Sequence, residues 1–350
     1  MLHQTNHKLL FADSRQIPLE DKSVDLVITS PPYPMIEMWD NLFMNMNDSI
    51  SIDQDDAFEL MHKELDKVWK ECYRVLRPGS FICINIGDAT RTTNQFRLYS
   101  NHSRITTALL NTGFINLPNI IWKHQTNSPN KFMGSGMLPC GAYVTLEHEY
   151  ILIFRKPGKR ITDKDIRRES AYFFEERNKW FSDIWDIKPV RQTMNSSRLR
   201  NASYPIELPF RIINMYSVYG DVVLDPFCGL FTTNMAAMLS GRNSISLEID
   251  ESLWPVIRQR MIDFDYKDFS KKRYQNHITF VDEKIRQGKT PKHFNSILNC
   301  AVTTKHETDI VLYDIDKIEN SGYNYRCNYK KISLWNINTI SGLKMDPLFV

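Results

Sequence analysis

The chain has 350 residues, 42% of them hydrophobic, and a formal net charge of +3. That suits one large α/β domain with an attached region, and is too near neutral to announce a polyanion binder by charge alone. No stretch approaches the ~20 apolar residues of a membrane span, Met1–Lys8 lacks the charged-then-apolar order of a signal peptide, and six scattered cysteines without a Cys-x-x-Cys pair argue for a reducing, cytoplasmic setting.

In chain order, His7–Ala12 and Asp25–Thr29 are continuous apolar runs, which predicts strands buried on both faces. Phe58, Met61, Leu65, Val68, Trp69, Cys72 and Val75 keep returning to one face, which predicts a long amphipathic helix that stops at Leu76-Arg77-Pro78-Gly79. Ser80–Ile86, Asn119–Lys123 and Glu149–Phe154 read as further strands, with a Gly-, Pro- and Asn-rich loop excursion between the last two. Residues 157 to 204 are polar, basic and irregular, punctuated by Tyr172, Phe173, Phe174, Trp180, Phe181 and Trp185. The regular pattern resumes with a helix around Pro205–Tyr216, strand Val222–Leu224, helix Thr232–Leu239, strand Ser244–Ile249 and a helix from about Leu253 to Phe264. From about 267 the chain is Lys- and Asn-rich with one apolar run, Asp309–Tyr313. Strands alternating with helices predict a parallel, doubly wound α/β sheet.

Two strand ends carry chemistry. Asp225-Pro226-Phe227-Cys228-Gly229 sits where a strand becomes a helix, the place where open α/β sheets bind ligands on free backbone donors. Gly229 permits close approach, Thr232 and Thr233 are suited to cap the helix, and Glu248, nineteen residues after Gly229 (248 − 229), is placed to accept a ribose diol. A plain strand-turn-helix with capping threonines explains the same residues. Near the other end of the chain, Ser30-Pro31-Pro32-Tyr33 follows a buried strand. The amine of a nucleobase is a poor nucleophile because its lone pair is delocalised into the ring. Acceptors on its hydrogens localise that pair, and Ser30 Oγ with the Pro31 carbonyl can supply them. Consecutive prolines stiffen the loop, and Tyr33 offers a face for an extruded base. A proline-stiffened turn is the plain alternative.

Thr29-Ser30-Pro31-Pro32-Tyr33 paired with Asp225-Pro226-Phe227-x-Gly229 resembles the S-adenosylmethionine-dependent DNA amino-methyltransferases. The Ser-Pro-Pro-Tyr form is typical of members acting on cytosine N4, and Asp-Pro-Pro-Tyr of many acting on adenine N6. With the base-handling loop first and the cofactor loop last, the order is similar to the permuted beta class. Leu76–Gly79, Glu147–Phe154 and Tyr204–Pro209 agree, so the resemblance covers roughly residues 7 to 265. It implies a Rossmann-like class I fold with a circularly permuted, mixed seven-stranded sheet. Residues 1–156 would form the catalytic half, 157–204 the target-recognition region, 205–266 the cofactor half and 267–350 an extension of unassigned role. It also implies S-adenosyl-L-methionine as cofactor, double-stranded DNA as substrate and, in the usual setting, a separately acting restriction endonuclease.

Carried over residue by residue, the resemblance gives Ser30, Pro31, Pro32 and Tyr33 to the flipped base, with Trp122 as a second stacking surface. Asp225, Phe227, Gly229 and Thr232 would line the methionine and adenosine pocket, Glu248 would hold the ribose, Asp13 would lie by the adenine, and Pro205 would start the segment closing over the methionine end. Lys159, Arg160, Arg191, Arg198 and Arg200 become candidate phosphate contacts. No metal is expected: Glu147, His148 and Glu149 are adjacent on a strand and point to alternate faces, which leaves them strand-start hydrogen bonding. Trp39 and Asp40 are candidates to shape the substrate loop, and Cys140, after Pro139, reads as a loop cysteine rather than a nucleophile. One departure stands out. The family usually has Gly-x-Gly, and here the second glycine is Phe231, a residue not expected at positive φ. The rival readings are an adenine-N6 enzyme of the same fold and a DNA-binding relative that has lost catalysis.

Overall fold

The structure is a computed structural model and describes residues 2–52, 54, 56–123, 133–134, 138–188 and 204–332. Strands β1 (Gln4–Phe11), β2 (Val24–Thr29), β3 (Leu76–Ile86), β4 (Ile115–Asn116), β5 (Ile120–Lys123), β6 (His148–Arg155), β7 (Ile184–Asp186), β8 (Val222–Asp225), β9 (Asn243–Glu248), β10 (Tyr313–Ser321) and β11 (Asn324–Lys331) form one sheet of eleven strands. Across it they run β7-β5-β6-β3-β2-β8-β9-β1-β11-β10, with β4 on β6. The central strands β3, β2, β8, β9 and β1 are parallel, and β6 reverses against β3. The seven strands from β5 to β1 are the mixed class I sheet in permuted order. β2 and β8, from opposite halves of the chain, pair at its centre, with Val223 opposite Leu26 and Leu224 opposite Val27.

Every residue of β2 is buried because both faces are covered. Helices α1 (Asp40–Met46), α2 (Ala57–Val75) and α3 (Asn101–Thr112) come first, then α4 (Lys164–Glu169) and α5 (Phe174–Trp180). They are followed by α6 (Glu207–Tyr216), α7 (Thr232–Leu239), α8 (Trp254–Ile262) and α9 (Phe269–Arg286). Val27, Ile82 and Ile84 pack with Leu65, Val68 and Ile105 of α2 and α3. Leu26 and Ile28 pack on the other side with Ile213, Met235 and Ile257 of α6, α7 and α8. β1 departs from expectation: Thr5, His7 and Leu9 are buried while Gln4, Asn6 and Lys8 are exposed, so only one of its faces is covered. α2 also needs no loop before β3. Gly79, at φ +81°, turns the chain where an added Cβ would sit 2.5 Å from the Arg160 nitrogen.

Beyond the predicted elements, α9 and the β10–β11 hairpin follow the cofactor half. In α9, Ser270, Tyr274, His277 and Val281 turn one buried face inward. β11 runs antiparallel along the outer edge of β1, which an isolated seven-stranded sheet would leave unpaired. The excursion between β5 and β6 carries a short hairpin, Met133–Gly134 with Ala142–Tyr143.

Candidate active site

The carboxyl ends of β1, β2, β3, β8 and β9 share one rim of the sheet, and antiparallel β6 begins there, with Tyr150 opposite Ile86. The loops leaving this rim carry Asp13, Ser30–Tyr33, Asn85–Asp88, Asp225–Gly229 and Glu248. A direct bond joins the two motifs that the chain keeps two hundred residues apart: Thr29 Oγ1 donates to Asp225 Oδ1 at 2.7 Å.

Asp225 is buried and accepts from Phe227 N at 3.0 Å, from the Thr233 hydroxyl and from Tyr204 OH at 3.4 Å, as well as from Thr29. Burial pushes its carboxyl up to about 7 in spite of these donors. Thr233 is thus drawn to Asp225 rather than capping α7. Thr232 accepts from Arg260 at 3.1 Å, so neither threonine plays the capping part expected of it. The residue preceding α7 is Phe231, at φ +66° and ψ +20°, with its ring fully buried beside Tyr325 (centroids 5.6 Å apart). The backbone therefore keeps the left-handed turn that glycine usually supplies. The strain, ~1–2 kcal/mol, is set against a buried phenyl worth roughly 1.5–3 kcal/mol.

Around the turn, Cys228 N donates to Leu247 O at 2.8 Å and Gly229 N to Glu248 Oε2 at 2.9 Å. Glu248 Oε1 takes the N–H groups of Ile249 and Asp250 at 3.0 Å each, so backbone donors fix this carboxylate. Ala12 N bonds Glu248 O at 2.9 Å, and the Ser14 hydroxyl donates to Pro226 O, which brings the loop bearing Asp13 against the same turn. Burial alone would raise Asp13, but hydrogen bonds from Arg15 outweigh it and hold the carboxyl low. Phe227 leans edge-on against Trp69. Pro205 precedes α6 and follows Tyr204, a residue with no role predicted for it although its hydroxyl adjoins Asp225.

The loop after β2 is held as firmly. Asn101, buried at the start of α3, donates to the carbonyls of Pro34 (3.1 Å) and Gly87 (3.0 Å). The Tyr33 ring lies over Gly87, where an added Cβ would come within 3.1 Å of it. The Tyr33 hydroxyl donates to Glu149 Oε2 at 2.7 Å, Asn85 Nδ2 donates to Tyr33 OH at 2.9 Å, and Ser30 Oγ lies 3.0 Å from Tyr33 OH. Asp40 opens α1 and grips Arg91 through two 2.8 Å bonds, tying the loop to the hairpin Ala89–Thr92 with Phe96–Tyr99. Asn85 carries no motif, and its only sequence signal is polarity at the end of a buried strand. Glu149 lies in the Glu147–Phe154 stretch expected to make strand-start hydrogen bonds, and Tyr33 is the partner it receives.

Several expected contacts fall elsewhere. Lys159 and Arg160 sit at the opposite, amino-terminal rim. Arg160 pairs with Asp221 and lies 3.5 Å from Asp25, residues at the starts of β8 and β2. A six-residue strand, about 20 Å, separates that rim from Ser30, so both are corrected away from the base-handling rim, Arg160 to structural ion pairing and Lys159 to an exposed cation at the far end of the sheet. Trp122 is 4% exposed and donates to Ile187 O at 2.8 Å, which makes it core and not a stacking face. Phe173, Trp180 and Trp185 are buried as well, so the aromatic punctuation of this segment is mostly packing. Arg191, Arg198 and Arg200 lie outside the described residues. Among the described residues, the grouping with ligand-type side chains at metal spacing is Glu175, His277 and Glu307, on α5 and the C-terminal extension, away from this rim. There His277 meets Glu175 at 2.9 Å and Ala301 O at 3.1 Å.

A permuted class I sheet whose rim carries a glycine turn, a fixed acid one strand over and a Ser-Pro-Pro-Tyr crest defines an S-adenosylmethionine-dependent methyltransferase. The DNA methylase family of N4 and N6 amino-methyltransferases matches residues 24–259. Over 343 residues the chain is 47% identical to the Type II methyltransferase M.MthZI of Methanothermobacter thermautotrophicus, covering 92% of this chain and 95% of that protein. A candidate DNA modification methylase of Thermus thermophilus, solved with S-adenosyl-L-methionine, superposes with a TM-score of 0.59 at 32% identity over 73% of this chain and 92% of its own. The cytosine-N4-specific PvuII DNA methyltransferase shares the fold, with a TM-score of 0.56 at 16% identity, over 82% of this chain and 94% of its own. The protein belongs to the amino-methyltransferase family of DNA methylases, with its motifs in the permuted beta order. It is a DNA methyltransferase and its cofactor is S-adenosyl-L-methionine.

The rim fits that cofactor. A Cβ added at Gly229, φ +51°, would meet nothing within 4 Å, so open space stands in front of the turn. The start of α7 and the fixed Glu248 carboxylate border it. Among the described residues no helix is long and apolar enough to cross a membrane.

Proposed function

We propose that the protein methylates the N4 amine of a cytosine flipped out of duplex DNA. The observation that carries the reading is the Thr29–Asp225 bond, which holds the base-handling crest against the cofactor turn. S-adenosylmethionine supplies an electrophilic methyl group. Ser30 Oγ and the Pro31 carbonyl accept the amine hydrogens and aim its lone pair, while the prolines keep that loop from relaxing. Tyr33 provides the stacking face, fixed by Glu149 and Asn85. Asp225, Phe227, Gly229, Thr232 and Pro205 shape the methionine and adenosine pocket, Glu248 meets the ribose and Asp13 borders the adenine. No cysteine attacks the ring, because the exocyclic nitrogen is itself the nucleophile.

Serine in place of aspartate at the first motif position supports cytosine over adenine. The segment 157–204 is the target-recognition region in this reading. Protection of host DNA beside a restriction endonuclease is the biological setting, supported by a Type II relative that matches nearly the whole chain. The test is mass analysis of nucleosides from DNA methylated by the purified protein. N4-methylcytosine is expected, and N6-methyladenine would replace this reading with its rival. Ser30→Ala and Tyr33→Ala are each expected to lower turnover at least ~10²-fold with an unchanged circular dichroism spectrum.

A further inference from the structure

Four polar side chains meet beside the loop after β2, and only two belong to the Ser-Pro-Pro-Tyr motif. Tyr33 OH donates to Glu149 Oε2 at 2.7 Å, and Asn85 Nδ2 donates to the Tyr33 oxygen at 2.9 Å and to the same Glu149 oxygen at 2.5 Å. Ser30 Oγ stands 3.0 Å from the Tyr33 oxygen. Asn85 is buried, and Glu149 fixes its amide orientation, since turning it would set the amide carbonyl against a carboxylate. A phenol has one hydrogen, and Glu149, which as a carboxylate only accepts, takes it. The hydrogen between Ser30 and Tyr33 therefore comes from Ser30. That leaves Ser30 Oγ with lone pairs and no hydrogen to offer a substrate. Two hydroxyls alone would carry no such direction.

We propose that Glu149 sets the direction of the chain Ser30→Tyr33→Glu149, so that Ser30 presents an acceptor to the target amine, and that Glu149 is where the amine's surplus proton ends. This rests on the reading of Ser30 as the amine contact. As the nitrogen–carbon bond forms and the carbon–sulfur bond breaks, the amine nitrogen turns cationic and yields one hydrogen to Ser30 Oγ. The Ser30 hydrogen passes to the Tyr33 oxygen, and the Tyr33 hydrogen to Glu149 Oε2. The positive charge at sulfur and the negative charge of Glu149 vanish together, leaving a thioether, a neutral methylated amine and a protonated Glu149. Glu149 is only half-buried, so its proton can leave to solvent once product departs. Burial and the neighbouring Glu149 charge push the Tyr33 phenol well above its ordinary range, so Tyr33 passes hydrogen in concert and does not rest as a phenolate.

Among the described residues, the other ionisable groups around Glu149 are Glu147 and His148 on its own chain segment and Lys123, opposite His148 on β5. Asp88 and its partner His102 lie by Tyr150. Side chains alternate along a strand, so Glu149 faces Tyr33 and Asn85 while His148 and Tyr150 face the other way. Glu149 is a positioning residue and terminal proton acceptor in this scheme, not a contact of the base.

Glu149→Gln keeps the size and an acceptor oxygen but cannot take the proton. In single-turnover methylation of a duplex carrying the mapped target site, we expect its rate to fall by roughly 10²-fold or more. Its calorimetric affinity for S-adenosylmethionine and its KM for DNA should stay as in the wild type, and its rate should vary less with pH than the wild-type rate measured alongside. Tyr33→Phe keeps the ring, breaks the chain, and is expected to do the same. A Glu149→Gln protein with the wild-type rate overturns the proposal. So does one slowed only through KM or cofactor affinity, or one that is slow yet keeps the wild-type pH profile. If Glu149→Gln does not fold, Tyr33→Phe decides by the same criteria. If the wild type makes N6-methyladenine, the cytosine reading falls while the relay is still decided by these comparisons.

Discussion

Asp225 is a carboxylate surrounded by donors and almost no water. Thr29, Thr233, Tyr204 and the Phe227 N–H all point at it, yet burial still raises its pKa to about 7. A carboxyl raised in the folded state binds its proton more tightly there than in the unfolded chain, where the value is about 3.9. Its contribution to stability is therefore complete below about 4 and is lost as pH rises through about 7, at up to ~1.4 kcal/mol per pH unit in between. Asp225→Asn cannot titrate. We expect its urea-denaturation stability, measured from pH 4.5 to 8, to lose this component and to gain on the wild type as pH rises. Parallel curves for the two proteins would show that the site pairs Asp225 better than burial penalises it. The same residue explains why the motif was legible but its wiring was not. Asp225 announced a cofactor turn from sequence, whereas Thr29 and Tyr204 entered only once folding had brought their hydroxyls to it.

At the scale of elements, the C-terminal hairpin β10–β11 does two jobs. It pairs with β1 from Gln4 opposite Asn328 to Lys8 opposite Asn324, and so covers an edge that would otherwise template aggregation. It also brings Tyr325 against Phe231, which makes the extension part of the cofactor turn's support. A left-handed residue with a large ring is tolerable only where something receives the ring. Phe231→Ala removes the ring and keeps the strain, so a loss of about 3–5 kcal/mol is expected from urea midpoints. Phe231→Gly also removes the ring but relieves the strain, and should be roughly 1 kcal/mol more stable than the alanine variant. In an ordinary backbone position that order would be reversed. α5 and α9 are locked in a similar way. Arg273 forks onto Glu176 beside Phe173 and Trp180, joining the basic segment to the extension. α9 was not legible because its buried face is built from Ser270, Tyr274, His277 and Val281 amid lysines and asparagines. That pattern becomes amphipathic only against a partner surface.

Across the whole molecule, permutation separates two motifs by about two hundred residues and the sheet reunites them as neighbours at its centre, β2 against β8. Direct attack by the exocyclic nitrogen needs no covalent adduct, and Cys140 is exposed on the excursion before β6. Cys140→Ala is therefore expected to retain wild-type turnover, and DNA carrying 5-fluorocytosine at the target is expected to yield no protein–DNA adduct by mass spectrometry. An adduct would move the chemistry from the amine to the ring. Continuous apolar runs and short loop signatures are local properties, so the chain order alone dictated the parallel core, the two crests and the class of reaction. Which cations face DNA, which aromatic rings are core, how Phe231 keeps a glycine's conformation and how Glu149 comes to hold Tyr33 depend on contacts between residues far apart in sequence. Arg160 shows why. Its charge is evident in the sequence, but the rim on which that charge sits is fixed only when Asp25 and Asp221 meet it across the sheet.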